Sequence, residues 1–116
     1  MDENELKTRM KRFALRILRL VKALPKTPEG RAVANQLVRC GTSVGANYRS
    51  ACRARSKAEF MSRLGIVEEE ADECAYWLEL LAEGGIMKPD RLEPLLDEAN
   101  QIVAIVAASR KSASGR

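Results

Sequence analysis

Apolar residues recur with a helical period along almost the whole of this chain. Leu6, Met10, Phe13, Ile17, Leu20 and Leu24 follow one another at steps of four and three, which puts them on one side of a helix of about five turns. Pro25 ends that helix. Thr27 then offers a hydroxyl to the free amides of a second helix, and Pro28 at its first position forfeits no hydrogen bond. Val33, Leu37, Cys40, Val44, Tyr48 and Ala51 form the second stripe. Ser56 and Glu59 then make a capping box, the serine bonding forward and the glutamate back. The third stripe is the most regular: Phe60, Leu64, Val67, Ala71, Cys74, Leu78 and Leu81. Gly84 and Gly85 stop it, since glycine tolerates the left-handed conformation that closes a helix. Past Pro89, Leu92, Leu95, Ala99, Ile102 and Val106 define a fourth helix. No segment alternates with the period of a strand. Short links make neighbouring helices antiparallel, so the predicted fold is all-α, an up-down-up-down antiparallel four-helix bundle. Residues 1–109 are expected to form a single domain. Residues 110–116, lacking an apolar face, are expected to be a frayed C-terminal tail.

Some apolar residues do not fit those stripes. Leu15 and Leu18 on the first helix, Met61, Ile66, Tyr76, Trp77 and Leu80 on the third, and Ile105 on the fourth cannot all face one core. A monomer exposing them would carry a large apolar patch, so Leu15, Leu18, Met61, Ile66, Tyr76, Trp77 and Leu80 are assigned to an interface between copies of the chain.

Charge changes the picture further. The chain has 116 residues and a net charge of +4, a mean that hides its distribution. Residues 1–57 carry fourteen cations and four acids, a net +10, whereas residues 58–116 carry six cations and twelve acids, a net −6. From Lys7 to Lys26 there are eight cations and no acid. Arg9, Arg12, Arg16 and Arg19 form a ridge beside the first stripe, and Arg49, Arg53 and Arg55 gather near the end of the second helix. Such a ridge repels itself unless something offsets it. Acids of the third helix are one candidate, through ordinary ion pairs. A nucleic-acid backbone is another, bound through counterion release. A membrane surface is a third, though the first stripe is needed for the core. The seven arginines Arg9, Arg12, Arg16, Arg19, Arg49, Arg53 and Arg55 are the candidate nucleic-acid-binding residues.

The chemistry available to an enzyme is narrow. The chain contains no histidine, which excludes Ser-His-Asp and Cys-His catalysis and histidine-ligated metal sites. Cys40, Cys52 and Cys74 are odd in number and widely spaced, arguing against a disulfide framework or a zinc ribbon and for a reducing cytoplasm. No run is long and apolar enough to cross a membrane, and the basic N-terminus does not read as a signal peptide. Glu69 with Asp72, and Glu70 with Glu73, place carboxylates one turn apart, as magnesium-dependent nucleotide pyrophosphatases do. Asp90, Glu93, Asp97 and Glu98 would have to face them, and Glu69 and Asp72 lie off the seam. Gly41-Thr-Ser-Val-Gly45 lacks the spacing and the lysine of a phosphate loop. It reads instead as a flat strip for close helix approach, with Ser43 and Asn47 able to hydrogen-bond across it.

The run from Val38 to Leu81 includes Arg39, Ser43, Asn47, Ser56, Phe60, Glu70, Glu73, Trp77 and Leu78. With these residues it resembles the bacterial four-helix-bundle proteins named after the intervening sequence of 23S ribosomal RNA. Many members have Ala-Glu-Gly after the asparagine, where this chain has Arg49, Ser50 and Ala51. The resemblance implies a four-helix protomer, a homo-oligomer that is a ring of five, and no catalytic residues. Related accessory proteins of diversity-generating retroelements are basic-surfaced pentamers that bind nucleic acid and a polymerase. The expectation is thus a cytoplasmic, non-catalytic oligomeric scaffold without metal or cofactor, binding RNA or DNA or a nucleic-acid enzyme. A purely structural oligomer and the pyrophosphatase are the alternatives.

Overall fold

Three of the four helices begin at a residue whose side chain takes up a free backbone amide. Asp2 accepts from the amide of Glu5 at 2.8 Å, Thr27 from Gly30 at 3.1 Å and Ser56 from Glu59 at 3.0 Å. A computed structural model describes residues 1–115 and contains α1 (Glu3–Lys22), α2 (Pro28–Cys52), α3 (Lys57–Glu83) and α4 (Pro89–Ala113). The capping box at Ser56 is closed differently from the sequence expectation: the Glu59 carboxylate accepts from the amide of Arg55, one residue before the cap, at 3.2 Å. At the end of α3, Gly85 adopts φ +68° and the amide of Ile86 returns to the carbonyl of Leu81 at 2.9 Å. That is the Schellman closure which two glycines permit. α4 has no side-chain cap and starts on Pro89. It contains Pro94, whose missing N–H leaves one bond of its second turn unmade.

The four helices form the four-helix bundle read from the stripes, about 45 Å long and 20 Å across. α1 packs on α2, α2 on α3 and α3 on α4, with α1 and α4 touching more lightly along the closing seam and α1 and α3 at opposite corners. Every stripe residue named above is buried except Phe60, which is half-buried. Among the described residues no polar or charged residue is buried. Leaving water provides the driving force, about 1.5–3 kcal/mol for each large side chain fully removed from it.

The C-terminal expectation needs correction. α4 continues to Ala113, because Arg110 turns back onto α3. Its guanidinium donates to Glu68 at 3.0 Å and lies over Gly65, where an added Cβ would stand 3.7 Å away. Residues 110–113 therefore belong to the bundle, and of the tail Ser114 and Gly115 remain past the helix; Arg116 lies outside the described residues.

Gly41 and Gly45 do form a strip against a helix, and the helix is α1. A Cβ on Gly41 would meet Ile17 Cγ2 at 2.9 Å, whereas one on Gly45 would meet Met10 at an ordinary 3.5 Å. Asn47 does not bond across a helix contact; its amide returns to Ser43 within α2, to the carbonyl at 2.9 Å and the hydroxyl at 2.7 Å. The two glycines thus respond oppositely to a methyl group. Gly45→Ala is expected to gain up to about 1 kcal/mol through helix propensity. Gly41→Ala should be the less stable of the two by about 1–3 kcal/mol through overpacking. Urea unfolding of both variants measures this, and equal stabilities would show that α1 does not rest on Gly41.

Candidate nucleic-acid interface

The seven candidate arginines fall into three groups once the helices are assembled. Arg9 is neutralised. Its guanidinium grips Glu98 of α4 with two bonds, of 2.6 and 2.8 Å, and reaches Gln101 at 2.6 Å. This charge-assisted pair raises the Arg9 pKa and ties α1 to α4 across their lightly packed seam. Arg9 therefore leaves the candidate interface. Arg12, Arg16 and Arg19 continue along the same flank of α1, exposed or half-buried, and none has an ion pair among the described residues. Arg49, Arg53 and Arg55, at the far end of α2, likewise have none.

Pairing between the α1 arginines and the α3 acids does not occur within the chain, because those helices occupy opposite corners of the bundle. Glu70 and Glu73 are instead held by Arg39 of α2, to Glu70 at 3.0 Å and in a close second contact to Glu73. Trp77 donates its indole N–H to the same Glu73 carboxylate at 3.0 Å. Its ring is half-buried and meets Tyr76 edge-on at a 5.2 Å centroid separation. Trp77 is thus tied into its own protomer, while Leu15, Ile66, Tyr76 and Leu80 are the exposed members of the expected contact set, and Leu18 and Met61 are half-buried. Sequence reasoning took Arg39 only as a matching position, Glu70 and Glu73 also as a carboxylate pair one turn apart, and Trp77 also as a residue of the interface between copies. Their union in one α2–α3 cluster depends on helix register, which single-helix periodicity does not contain.

The carboxylates do not converge on a metal site. Glu70 and Glu73 face a guanidinium, Glu69 and Asp72 point outward, and α4 packs on the other flank of α3. Among the described residues no group of three or more ligating side chains could hold a metal ion. Cys40 and Cys74 are buried with their sulfurs 3.1 Å apart. The contact with Cys40, followed by burial, holds the Cys74 thiol well above its ordinary pKa, as the inert thiol.

A basic groove lies between α1 and α2. Lys7 and Lys11 line one wall and Arg49 and Arg53 the other, with Thr8 and Thr42 at the edges and Ala14, Gly45 and Ala46 on the floor, around a volume of about 440 Å³. The small floor residues that let α1 approach α2 also keep the groove open. Lys7 has Glu3 one turn away at 3.1 Å; the other three cations have no acid partner among the described residues. Sequence reasoning found Arg49 and Arg53 but not Lys7 and Lys11 as their neighbours. The cue was the glycine strip, which announced a close helix crossing but not which helix crosses.

The fold and surface together define an all-α four-helix-bundle protein with an apolar core and cations left without an acid partner among the described residues. Residues 2–108 match the sequence profile of the 23S rRNA-intervening sequence protein family, and the chain belongs to that family. It is similar to a protein of unknown function from the S23 ribosomal protein family of Bacteroides thetaiotaomicron, known from a crystal structure. The two share 34% identity and a TM-score of 0.87, over 96% of this chain and 99% of that one. No curated protein matches this chain. No helix is long and apolar enough to cross a membrane.

The Arg39 cluster makes a pH prediction. The guanidinium of Arg39, then the Trp77 N–H, hold the Glu73 carboxyl below its usual range. A depressed folded pKa stabilises the fold above the carboxyl's ordinary value, and this contribution is lost as pH falls through the lower folded value. Arg39→Ala should therefore lose stability at neutral pH, with its deficit relative to the wild type shrinking between about pH 7 and about pH 3. Urea midpoints at the two ends measure this; a constant deficit would detach Glu73 from Arg39.

Proposed function

We propose that this protein is a non-catalytic, self-associating scaffold that binds a nucleic-acid backbone in the groove between α1 and α2. The observation carrying this reading is the groove itself: four cations around a concave, small-residue floor, three of them with no acid opposite. Phosphates entering it would release condensed counterions, and the four side chains would contact backbone rather than base edges, giving sequence-independent binding. The Thr8 hydroxyl adds a hydrogen-bond donor suited to a phosphate oxygen, whereas that of Thr42 is given to the Val38 carbonyl at 2.7 Å. Arg55, in the turn after α2, extends the positive surface.

A single groove of this size binds weakly. Repeating it around a ring, of five copies as the resemblance implies, raises avidity without any new contact, provided one strand can reach neighbouring sites. This is the physical advantage of joining a basic surface to an oligomer, and it suits a scaffold that presents nucleic acid to an enzyme, as the resemblance to retroelement accessory proteins suggests. A purely structural oligomer would need no such groove.

Fluorescence anisotropy with a single-stranded RNA tests the reading. Four phosphate contacts predict a loss of affinity of about 50-fold between about 50 and about 200 mM salt, and about 150-fold for a duplex. Changing Lys7, Lys11, Arg49 and Arg53 to Gln should abolish most of that salt dependence along with the binding. Unaltered affinity in this folded variant, or binding indifferent to salt, would overturn the proposal.

A further inference from the structure

A cysteine can serve a core as a small apolar residue, but two cysteines in contact also bring a reaction. Cys40 of α2 and Cys74 of α3 are both buried, and their sulfurs stand 3.1 Å apart. A disulfide is about 2.05 Å long, so bonding them needs an approach of about 1 Å. Their meeting is fixed by the residues beside them. Arg39 and Cys40 are consecutive on α2, Glu73 and Cys74 are consecutive on α3, and each of the first pair touches the residue 34 positions further along the chain. The ion pair at the rim and the thiol pair inside therefore share one register between two helices. Cys52 differs: it is half-buried at the end of α2, where it lines a surface cleft with Tyr48, Ser56 and Phe60. We propose that Cys40 and Cys74 are an oxidation site, at which a hydroperoxide converts the two thiols into a disulfide joining α2 to α3 inside the bundle.

The contact assigns the two roles. Cys74 keeps its proton, because Cys40 beside it and then burial raise its pKa, so Cys40 is the first nucleophile. Its sulfur gives up a proton and attacks one peroxide oxygen. The O–O bond breaks, the departing hydroxide takes the proton to become water, and Cys40 becomes a sulfenic acid. The Cys74 sulfur then attacks that of Cys40, the S–O bond breaks, and the expelled hydroxide leaves as water with the Cys74 proton. Two thiols have lost two electrons and two protons, and one hydrogen peroxide has become two waters. A sulfenic acid without a neighbouring thiol proceeds to irreversible sulfinic acid; Cys74, already in contact, captures it first. Burial sets the pace. Peroxide reaches these thiols when the helices open locally, and a reductant meets the same barrier, so the finished bond is shielded from exchange. The product closes a loop between positions 34 apart, which restricts the unfolded chain and raises stability. It lies inside the α2–α3 seam, and the basic groove between α1 and α2 keeps its cations.

The test uses the full chain carrying Cys52→Ser, which removes the remaining thiol. The folded variant is treated with excess hydrogen peroxide, denatured and labelled with iodoacetamide. Both thiols should be lost to the label, peptide mapping should join Cys40 to Cys74 within one chain, and dithiothreitol added after denaturation should return both. Thermal unfolding followed by circular dichroism should show a Tm higher by about 10 °C in the crosslinked chain than in the same chain reduced and refolded. Dithiothreitol leaves methionine sulfoxide untouched, so this comparison isolates the disulfide. Adding Cys40→Ala should abolish both the intrachain bond and the gain in Tm. Thiols that stay fully labelled after peroxide, thiols lost in a form that dithiothreitol does not return, or a crosslinked chain with an unchanged Tm would each overturn the proposal.

Discussion

Exclusion of every charged and polar side chain from the centre of the bundle is the constraint on which the rest of the molecule depends. Met10, Phe13, Ile17, Leu37, Leu64, Leu78 and Ile102 fill that centre completely, and burying an unpaired polar group there would cost about 1–3 kcal/mol. The charged side chains are consequently displaced to the surface, while the thiols of Cys40 and Cys74 stay within the bundle. The same packing requires α1 to approach α2 closely at Gly41, and this approach leaves the small-residue floor of the basic groove a turn further along.

Surface charge then acquires meaning from which helices are neighbours. Arg9, Arg39 and Arg110 each bind a carboxylate on an adjacent helix, joining α1 to α4, α2 to α3 and α4 to α3. These pairs lie partly in water and contribute modestly to stability, but they consume cations and acids that composition alone would count as free. The charges left over are not scattered. Cations remain on the outside of α1 and at the end of α2, and acids on the outside of α3, so the protomer has poles that face different ways.

Much of the expected surface was legible for the same reason that the fold was. Leu15, Ile66, Tyr76 and Leu80 stand outside the apolar period, and a residue outside that period has no core to enter. Trp77 was the exception. Adjacent to Tyr76 on the wheel, it looked equally outward, yet its indole finds Glu73 one turn back and lies partly against the core. Arg9 was misjudged in the opposite sense: nothing in its spacing separates it from Arg12, and only Glu98, 89 residues away, distinguishes the two. The C-terminal residues Arg110 to Ala113 have no apolar stripe, and their helix is held by an ion pair to Glu68 that no local pattern discloses.

What the sequence determined by itself was therefore everything that follows from one helix considered alone: the four segments, their caps and stops, the buried stripe of each and the asymmetry of charge between the two halves. These properties are local, set by a period of 3.6 residues and by the conformational limits of proline and glycine. Tertiary structure decided which charges cancel, because cancellation depends on helix adjacency and register. It put α1 and α3 at opposite corners, made Arg39 rather than Arg12 the partner of Glu70, and brought Lys7 and Lys11 alongside Arg49 and Arg53. Those relations join residues far apart in the chain, and a periodicity carries no record of the distance between two helices.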